Sequence, residues 1–320
     1  MAEHTKPVAG IDTGKVTLDV ARTDSTELWK IANTASGWDD LCGRLEAASI
    51  TRVGIEASGG YERGVVAALR TRGFEVDLHQ PLQIRAFAKL SLRRAKNDRL
   101  DARLIAAFTL FQSQQREARP APDPRLQPFA ARLVFIEQAM EDAARAKLRL
   151  EHQTDPRLRR QLEGDARRAR LRAEREFARL AEEVRAQPDL AARLDLLLTI
   201  PGLGEKTALR LLVLMPELGR ISREQAASLA GLAPFDHDSG QHEGERHIGG
   251  GRARVRTALY TAALPASYRW NPALITLRTR LIARGKTHKK ALIACARKLL
   301  TYANAVLARG TPWKHDTAHA

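Results

Sequence analysis

Leu126, Phe129, Leu133, Ile136, Met140 and Ala143 follow one another at spacings of 3, 4, 3, 4 and 3. That spacing lays an apolar stripe along one side of a long helix, and such a stripe is buried only against another helix. A partner follows at once. Thr154-Asp155-Pro156 supplies a cap residue and a first-turn proline, after which Leu158, Leu162, Ala169, Ala173, Phe177, Leu180 and Val184 keep helical spacing. A coiled-coil helical hairpin over 116–187 is expected. Because it sits in mid-chain, the rest of the 320 residues must fold as two pieces, 1–115 before it and 188–320 after it.

The two pieces read differently. Residues 7–34 hold three short runs rich in Val, Ile and Leu, broken at Thr13-Gly14 and Asp24-Ser25, which is the pattern of a three-stranded meander. A helix opened by Ser36, a strand over 51–58, a helix over 61–72 and a strand over 74–79 then alternate, followed by helices at 82–92 and 98–113. Strands joined through helical crossovers favour parallel pairing, so 1–115 is an α/β domain. From Asp189 the composition returns to Leu, Ala and Gly and predicts a mostly helical domain.

Charge narrows the partners. Lys and Arg number 53 against 37 Asp and Glu, a net +16, which points to a polyanion, with nucleic acid first. The only cysteines, Cys42 and Cys295, are far apart and exclude both a disulfide framework and a cysteine-based zinc site. No apolar run reaches the roughly 18 residues of a membrane span and the N-terminus lacks an apolar signal core, so the expectation is a cytoplasmic protein with no membrane partner.

Four carboxylates stand out. Asp12 ends the first apolar strand, Glu56 ends another, and Asp98 and Asp101 lie three apart on one helix. Strand ends and adjoining loops of an α/β sheet are where catalytic groups collect. Clustered carboxylates repel unless a divalent cation neutralises them, and all-oxygen ligands suit Mg²⁺ or Mn²⁺. Taken singly, Asp98 and Asp12 also read as a helix cap and a turn former.

The C-terminal part opens with LLTIPGLGEKTALRLL, in which Pro201, Gly202 and Gly204 make a tight turn into a helix bearing Lys206. This pattern suits a helix-hairpin-helix whose free N–H groups hold a phosphate, or an ordinary helix-loop-helix. Ser222 and Gln225 form a capping box. The stretch 233–251 is nineteen residues with five glycines and little apolar content, a length that marks a functional loop or disorder. Ser239-Gly240 lies within it, and Arg246, Arg252 and Arg256 follow. A serine nucleophile beside phosphate-binding arginines is chemically sensible, although a loop serine is the commoner meaning.

In order along the chain, GIDTGKVTLDVA, GIEASGGYE, AKNDRLDARLIAAF, LTIPGLGEKTA, GLAPFDHDSG and HIGGGRARVRTALYTAA resemble the DEDD transposases of insertion-sequence family one hundred and ten, relatives of the Piv DNA invertases. The resemblance implies a RuvC-like, ribonuclease-H-type N-terminal domain whose metal site is Asp12, Glu56, Asp98 and Asp101. It implies a C-terminal transposase domain in which Ser239 attacks a DNA phosphodiester and forms a covalent 5′-phosphoserine. It further implies a homo-oligomer, dimer or tetramer, acting on donor and target DNA under the guidance of a structured noncoding bridge RNA. Lys96-Asn97-Asp98 stands where relatives carry Lys-Thr-Asp, and HIGGGRARVR where they carry a Lys/Arg-Gly-Asn pattern. Two other readings stay open on the residues alone. A metal-dependent endonuclease of Holliday-junction type would cut without a protein–DNA adduct, and a noncatalytic DNA-organising protein would be indifferent to Asp12→Asn.

Overall fold

Six residues of β-branched and small side chains, β1 (Val8–Thr13), turn at Gly14 into β2 (Thr17–Arg22), which turns again into β3 (Leu28–Ala32). In the computed structural model, which describes residues 6–90, 98–114, 123–235 and 247–314, these three strands pair antiparallel. Helix α1 (Ala35–Ala47), strand β4 (Arg52–Glu56), helix α2 (Arg63–Thr71) and strand β5 (Glu75–His79) follow. The resulting sheet has the order β3-β2-β1-β4-β5, with β4 and β5 parallel to β1. The expected meander and the β/α alternation are both present. The cap of α1 is Thr34, whose hydroxyl accepts from Gly37 N; Ser36 lies inside the helix.

One sheet face carries Ile11, Leu18, Val20, Trp29, Ile31, Val53 and Ile55, which bury against Leu41, Leu45, Val65 and Leu69 of α1 and α2. The other face receives α4 (Asp98–Ser113), which follows α3 (Pro81–Leu90). It comes down on Gly10 and Gly54, which are register partners on β1 and β4. A Cβ at Gly10 would overlap the main chain of Ala102 and Ala106, and one at Gly54 would overlap the Thr109 hydroxyl. Glycine at both positions lets the helix touch the sheet backbone.

The chain divides into two units, Met1–Pro120 and Ala121–Ala320. The second begins with the hairpin α5 (Leu126–His152) and α6 (Pro156–Arg185). Asp155 caps α6 by accepting from Arg157 N and Leu158 N, with Pro156 in the first turn. Leu126, Phe129, Leu133, Ile136 and Ala143 are buried as the spacing predicts, but Met140 is 45% exposed and Ala139 is buried in its place. The departure is confined to that position: the small Ala139 is buried in the core that also contains Ala173 of α6, and the bulkier Met140 turns toward solvent.

Among the described residues this unit continues with α7 (Pro188–Leu198), α8 (Glu205–Leu214), α9 (Arg223–Leu229), α10 (Ala253–Pro265), a π-helical turn (Ala266–Trp270), α11 (Pro272–Ala283) and α12 (His288–Arg309). Ser222 and Gln225 form the capping box of α9. By length and composition α12 could cross a membrane, yet Cys295, Ala296, Leu299, Leu300, Ala303 and Val306 lie in the core of this unit. Within 233–251, β6 (Pro234–Phe235) and β7 (His247–Ile248) pair antiparallel, so the base of the expected loop is a ribbon.

Gly10→Ala is expected to destabilise the chain by about 3 kcal/mol, because the added methyl meets main chain that cannot step aside. Gly43→Ala in α1, where a Cβ meets nothing within 4 Å, is expected to stabilise by up to about 1 kcal/mol through helix propensity. Urea unfolding of both variants beside the parent checks this, and equal midpoints would overturn it.

Candidate active site

Alternation along a strand places Asp12 two residues beyond Gly10 and Glu56 two residues beyond Gly54, on the face that α4 covers. The register of β1 with β4 runs through Ile11 and Ile55, so the next residues, Asp12 and Glu56, are neighbours at the strand ends. Asp101 lies in the first turns of α4. Burial pushes the Glu56 carboxyl above its ordinary range, the charges of Asp12 and Asp101 push it further, and Arg85 of α3 opposes them. Three of the four expected acids therefore share one electrostatic site. Asp98 is the first residue of α4, and its side chain lies outside the described residues.

Sequence reasoning missed three neighbours in this row. Asp19 is the cross-strand partner of Asp12, and Lys30 is the partner of Asp19, so both point to the same face. Counting symmetrically about Lys15-Val16, the centre of the β1–β2 turn, would have found Asp19. His79, paired with Glu56 and 2% exposed, closes the row on the other side. Its Nε2 lies 2.8 Å from Thr109 Oγ1, whose own proton is given to Ile105 O at 2.7 Å. Thr109 must therefore accept, and His79 Nε2 carries a hydrogen. This contact fastens β5 to α4 beside Glu56.

The loops flanking the acids are tied as well. Asn33 Nδ2 donates to Gly14 O after β1 and to Tyr61 O after β4, while Trp38 Nε1 donates to Asn33 Oδ1. Burial would raise the Glu62 carboxyl, but hydrogen bonds from main-chain amides and the Ser58 hydroxyl outweigh it and hold the group below its usual range. Glu62 Oε2 accepts from Ser58 N, Ser58 Oγ and Gly60 N, closing the turn that follows Glu56.

These acids supply only carboxylate oxygens, the donor chemistry of Mg²⁺ and Mn²⁺. Their mutual repulsion is the kind that a divalent cation relieves. Among the described residues no group of three or more His, Cys, Asp or Glu is arranged to hold a metal ion; the fourth expected acid, the Asp98 side chain, lies outside them.

In the second unit, Pro201–Gly204 turns between α7 and α8. Gly202 has φ +89°, and a Cβ there would overlap Ala266 of the π-helical turn, so both its conformation and its neighbour require glycine. Gly204 caps α8 with main chain only, and Lys206 is exposed on the first turn of that helix, its Nζ 5.8 Å from the centre of the Phe177 ring. Ser239 and Arg246 fall in 236–246, outside the described residues. Arg252 and Arg256, expected at phosphate, turn toward protein. Arg252 makes a two-pronged pair with Glu217 at 2.6 and 2.7 Å and donates to Leu214 O. Arg256 Nη1 donates to Gly250 O at 2.7 Å. Arg256 thereby holds the foot of the β6–β7 ribbon, and Arg252 ties the start of α10 to the end of α8.

Comparison with known proteins bears on both units. A DEDD transposase family model of the IS110 type matches residues 9–155, and the model described as Transposase IS116/IS110/IS902 family matches residues 194–279. Pilin gene-inverting proteins of Moraxella lacunata and Moraxella bovis are each 29% identical, over 96% of this chain and 98% of theirs. The insertion element IS110 uncharacterized 43.6 kDa protein of Streptomyces coelicolor is 37% identical over 36% of this chain and 29% of its own length. Among solved structures, T. thermophilus RuvC in complex with Holliday junction substrate aligns with 36% of this chain and 100% of that chain, at 19% identity and a TM-score of 0.29.

Because Glu56 holds its proton to a higher pH in the folded chain than in the unfolded one, the stability linked to that proton is complete below the ordinary carboxylate pKa. It is lost as pH rises through the raised value. Glu56→Gln is therefore expected to raise the thermal midpoint at pH 7 in EDTA, and its advantage to vanish in acid. Mg²⁺ is expected to raise the midpoint of the parent more than that of Glu56→Gln. Thermal melts across pH, with and without Mg²⁺, decide it; an unchanged Glu56→Gln midpoint at pH 7 overturns the electrostatic account.

Proposed function

The chain belongs to the DEDD transposases of the IS116/IS110/IS902 family, enzymes that cleave and rejoin DNA, and we propose that it excises and inserts its own insertion sequence through a phosphoserine intermediate. The observation that carries the reading is the convergence of Asp12, Glu56 and Asp101 on one end of the sheet, where the charges of Asp12 and Asp101 add to burial in raising the Glu56 carboxyl.

In this reading Asp12, Glu56, Asp98 and Asp101 hold Mg²⁺ or Mn²⁺. Bound there, the ion offsets the charge on a scissile phosphate and fixes its position. Ser239 Oγ gives up its proton and attacks phosphorus. The Oγ–P bond forms, the P–O3′ bond breaks, and the leaving oxygen takes a proton to become a 3′-hydroxyl. Rejoining reverses the step with the 3′-hydroxyl of the other strand, which restores the phosphodiester and frees the serine. The phosphodiester energy is kept in the ester, so no nucleotide hydrolysis is needed, in line with a sequence lacking a P-loop. Gly202, Gly204, Lys206 and Arg246 face DNA or RNA phosphate; Arg256 steadies the foot of the ribbon that leads to Ser239, and Arg252 braces α10 against Glu217.

The partners in this reading are donor and target DNA and a structured bridge RNA that selects them by base pairing. The active form is a homo-oligomer in the bacterial cytoplasm. Inversion of a chromosomal segment is the second reading, favoured by the pilin gene-inverting relatives that align along nearly the whole chain. The chemistry of the two is the same.

Junction PCR on cells carrying the gene with its native flanks separates them: an excised circle marks transposition, an inverted segment marks inversion. Asp12→Ala and Ser239→Ala are each expected to lower either product at least about a thousandfold, the scale of losing a group that acts in the transition state. Product surviving Ser239→Ala would replace the serine by a metal-only endonuclease. Product surviving Asp12→Ala would leave the acids structural.

A further inference from the structure

The positive charge of this chain is not spread along it. Residues 246–315 contain 15 of the 53 Lys and Arg and none of the 37 Asp and Glu, so the other 250 residues are almost balanced, 38 against 37. Part of this basic block is answered by acids from elsewhere in the second unit, Arg252 by Glu217 and Arg254 by Glu137. The π-helical turn, α11 and the turn into α12 contain no acid, and residues 282–290 are exposed without interruption. His288, Lys289 and Lys290 begin α12, with no acid in its first turn and no side-chain cap. Cations there meet the positive end of the helix dipole, a cost that an anion removes.

Aromatic rings stand beside this charge. The π-helical turn widens the backbone after α10 and turns Tyr268 and Trp270 outward, 46% and 61% exposed. The Arg278 guanidinium lies over the Tyr268 ring at 3.8 Å, held by a bond from its Nε to Ser267 O. Tyr268 OH meets His288 Nε2 at 3.0 Å, which links the aromatic turn to the start of α12. One face of Tyr268 is thus already stacked, while Trp270 offers the larger open ring. The same turn abuts the Pro201–Gly204 hairpin: Ala266 lies against Gly202, and Asn271 Nδ2 donates to Pro201 O at 3.2 Å.

We infer that the π-helical turn and the α11–α12 turn form a binding surface for an unpaired stretch of DNA, with a base stacked on Trp270 and the phosphates on Arg269, Arg280, Arg284, Lys286 and Lys289. An aromatic platform with cations about it is the physical signature of single-strand binding, because every base has a π-face and only unpaired bases present it. Duplex DNA offers phosphates but no free base face. Strand cleavage and exchange release such unpaired ends, so this surface rests on the recombinase reading for its biological source, although binding itself needs neither the acids nor Ser239.

The test is fluorescence anisotropy of the full chain in EDTA with three labelled probes, an oligothymidylate of about twenty nucleotides, a duplex of that length and an oligouridylate. Trp270→Ala is expected to weaken oligothymidylate binding about tenfold, Trp270→Phe to retain most of it, and the duplex to change by less than about twofold. Lys289→Gln is expected to lower the salt slope for oligothymidylate by about one. Trp270 is exposed, so an unchanged circular dichroism melt is expected to accompany the loss. Undiminished oligothymidylate binding by Trp270→Ala, or an equal loss on duplex, overturns the inference, and a loss confined to oligouridylate assigns the surface to RNA instead. A chain that yields no junction product yet shows the Trp270-dependent loss would sink the recombination chemistry and leave this surface standing.

Discussion

The first unit depends on how closely α4 approaches the sheet. Main chain of the helix lies against main chain of β1 at Gly10, and Thr109 occupies the space that a side chain at Gly54 would take. This contact turns two strands and one helix into a site: with the helix seated on the two glycines, its first turns fall beside the strand ends two residues further on. Burial raises the Glu56 carboxyl, and Asp12 and Asp101 come close enough to raise it further. The His79–Thr109 bond repeats the anchorage one strand away. Repulsion among the acids opposes folding locally, and the apolar core on the opposite face of the sheet holds the arrangement against it, a common bargain at reactive sites.

The second unit solves a different problem, how to fold an arginine-rich chain without leaving every arginine in solvent. Glu137 of α5 takes both Arg210 of α8 and Arg254 of α10. Glu217 takes Arg252, and Glu176 and Glu183 of α6 take Arg132 of α5. These arginines brace helices. Where acids are missing, around the π-helical turn and α11, the cations stay at the surface beside aromatic rings. Abundance of arginine therefore says little about where nucleic acid binds; the distribution of carboxylates says more.

Legibility in the sequence followed the range of the interactions involved. The meander, the alternation and the long hairpin rest on local periodicity and were readable, as was the Ser222–Gln225 capping box. The hairpin stripe failed at Met140, where the neighbouring Ala139 is buried instead, a choice made by helix packing rather than by spacing. Asp19 escaped because its place beside Asp12 is a matter of cross-strand register. Arg252 and Arg256 looked like phosphate ligands because their acceptors, Glu217 and the Gly250 carbonyl, are set by tertiary packing. The loop at 233–251 hid a ribbon only two pairs long, too short for any periodic signal.

By itself the sequence determined the type and order of the elements, the four acids at element ends and the excess of positive charge, since each follows from neighbours within a few turns or residues. Only the tertiary structure decided which acids meet, which arginines are engaged by the fold and which face of the basic segment stays open. Those outcomes depend on residues far apart in the chain occupying the same few ångströms, and no local pattern encodes that coincidence.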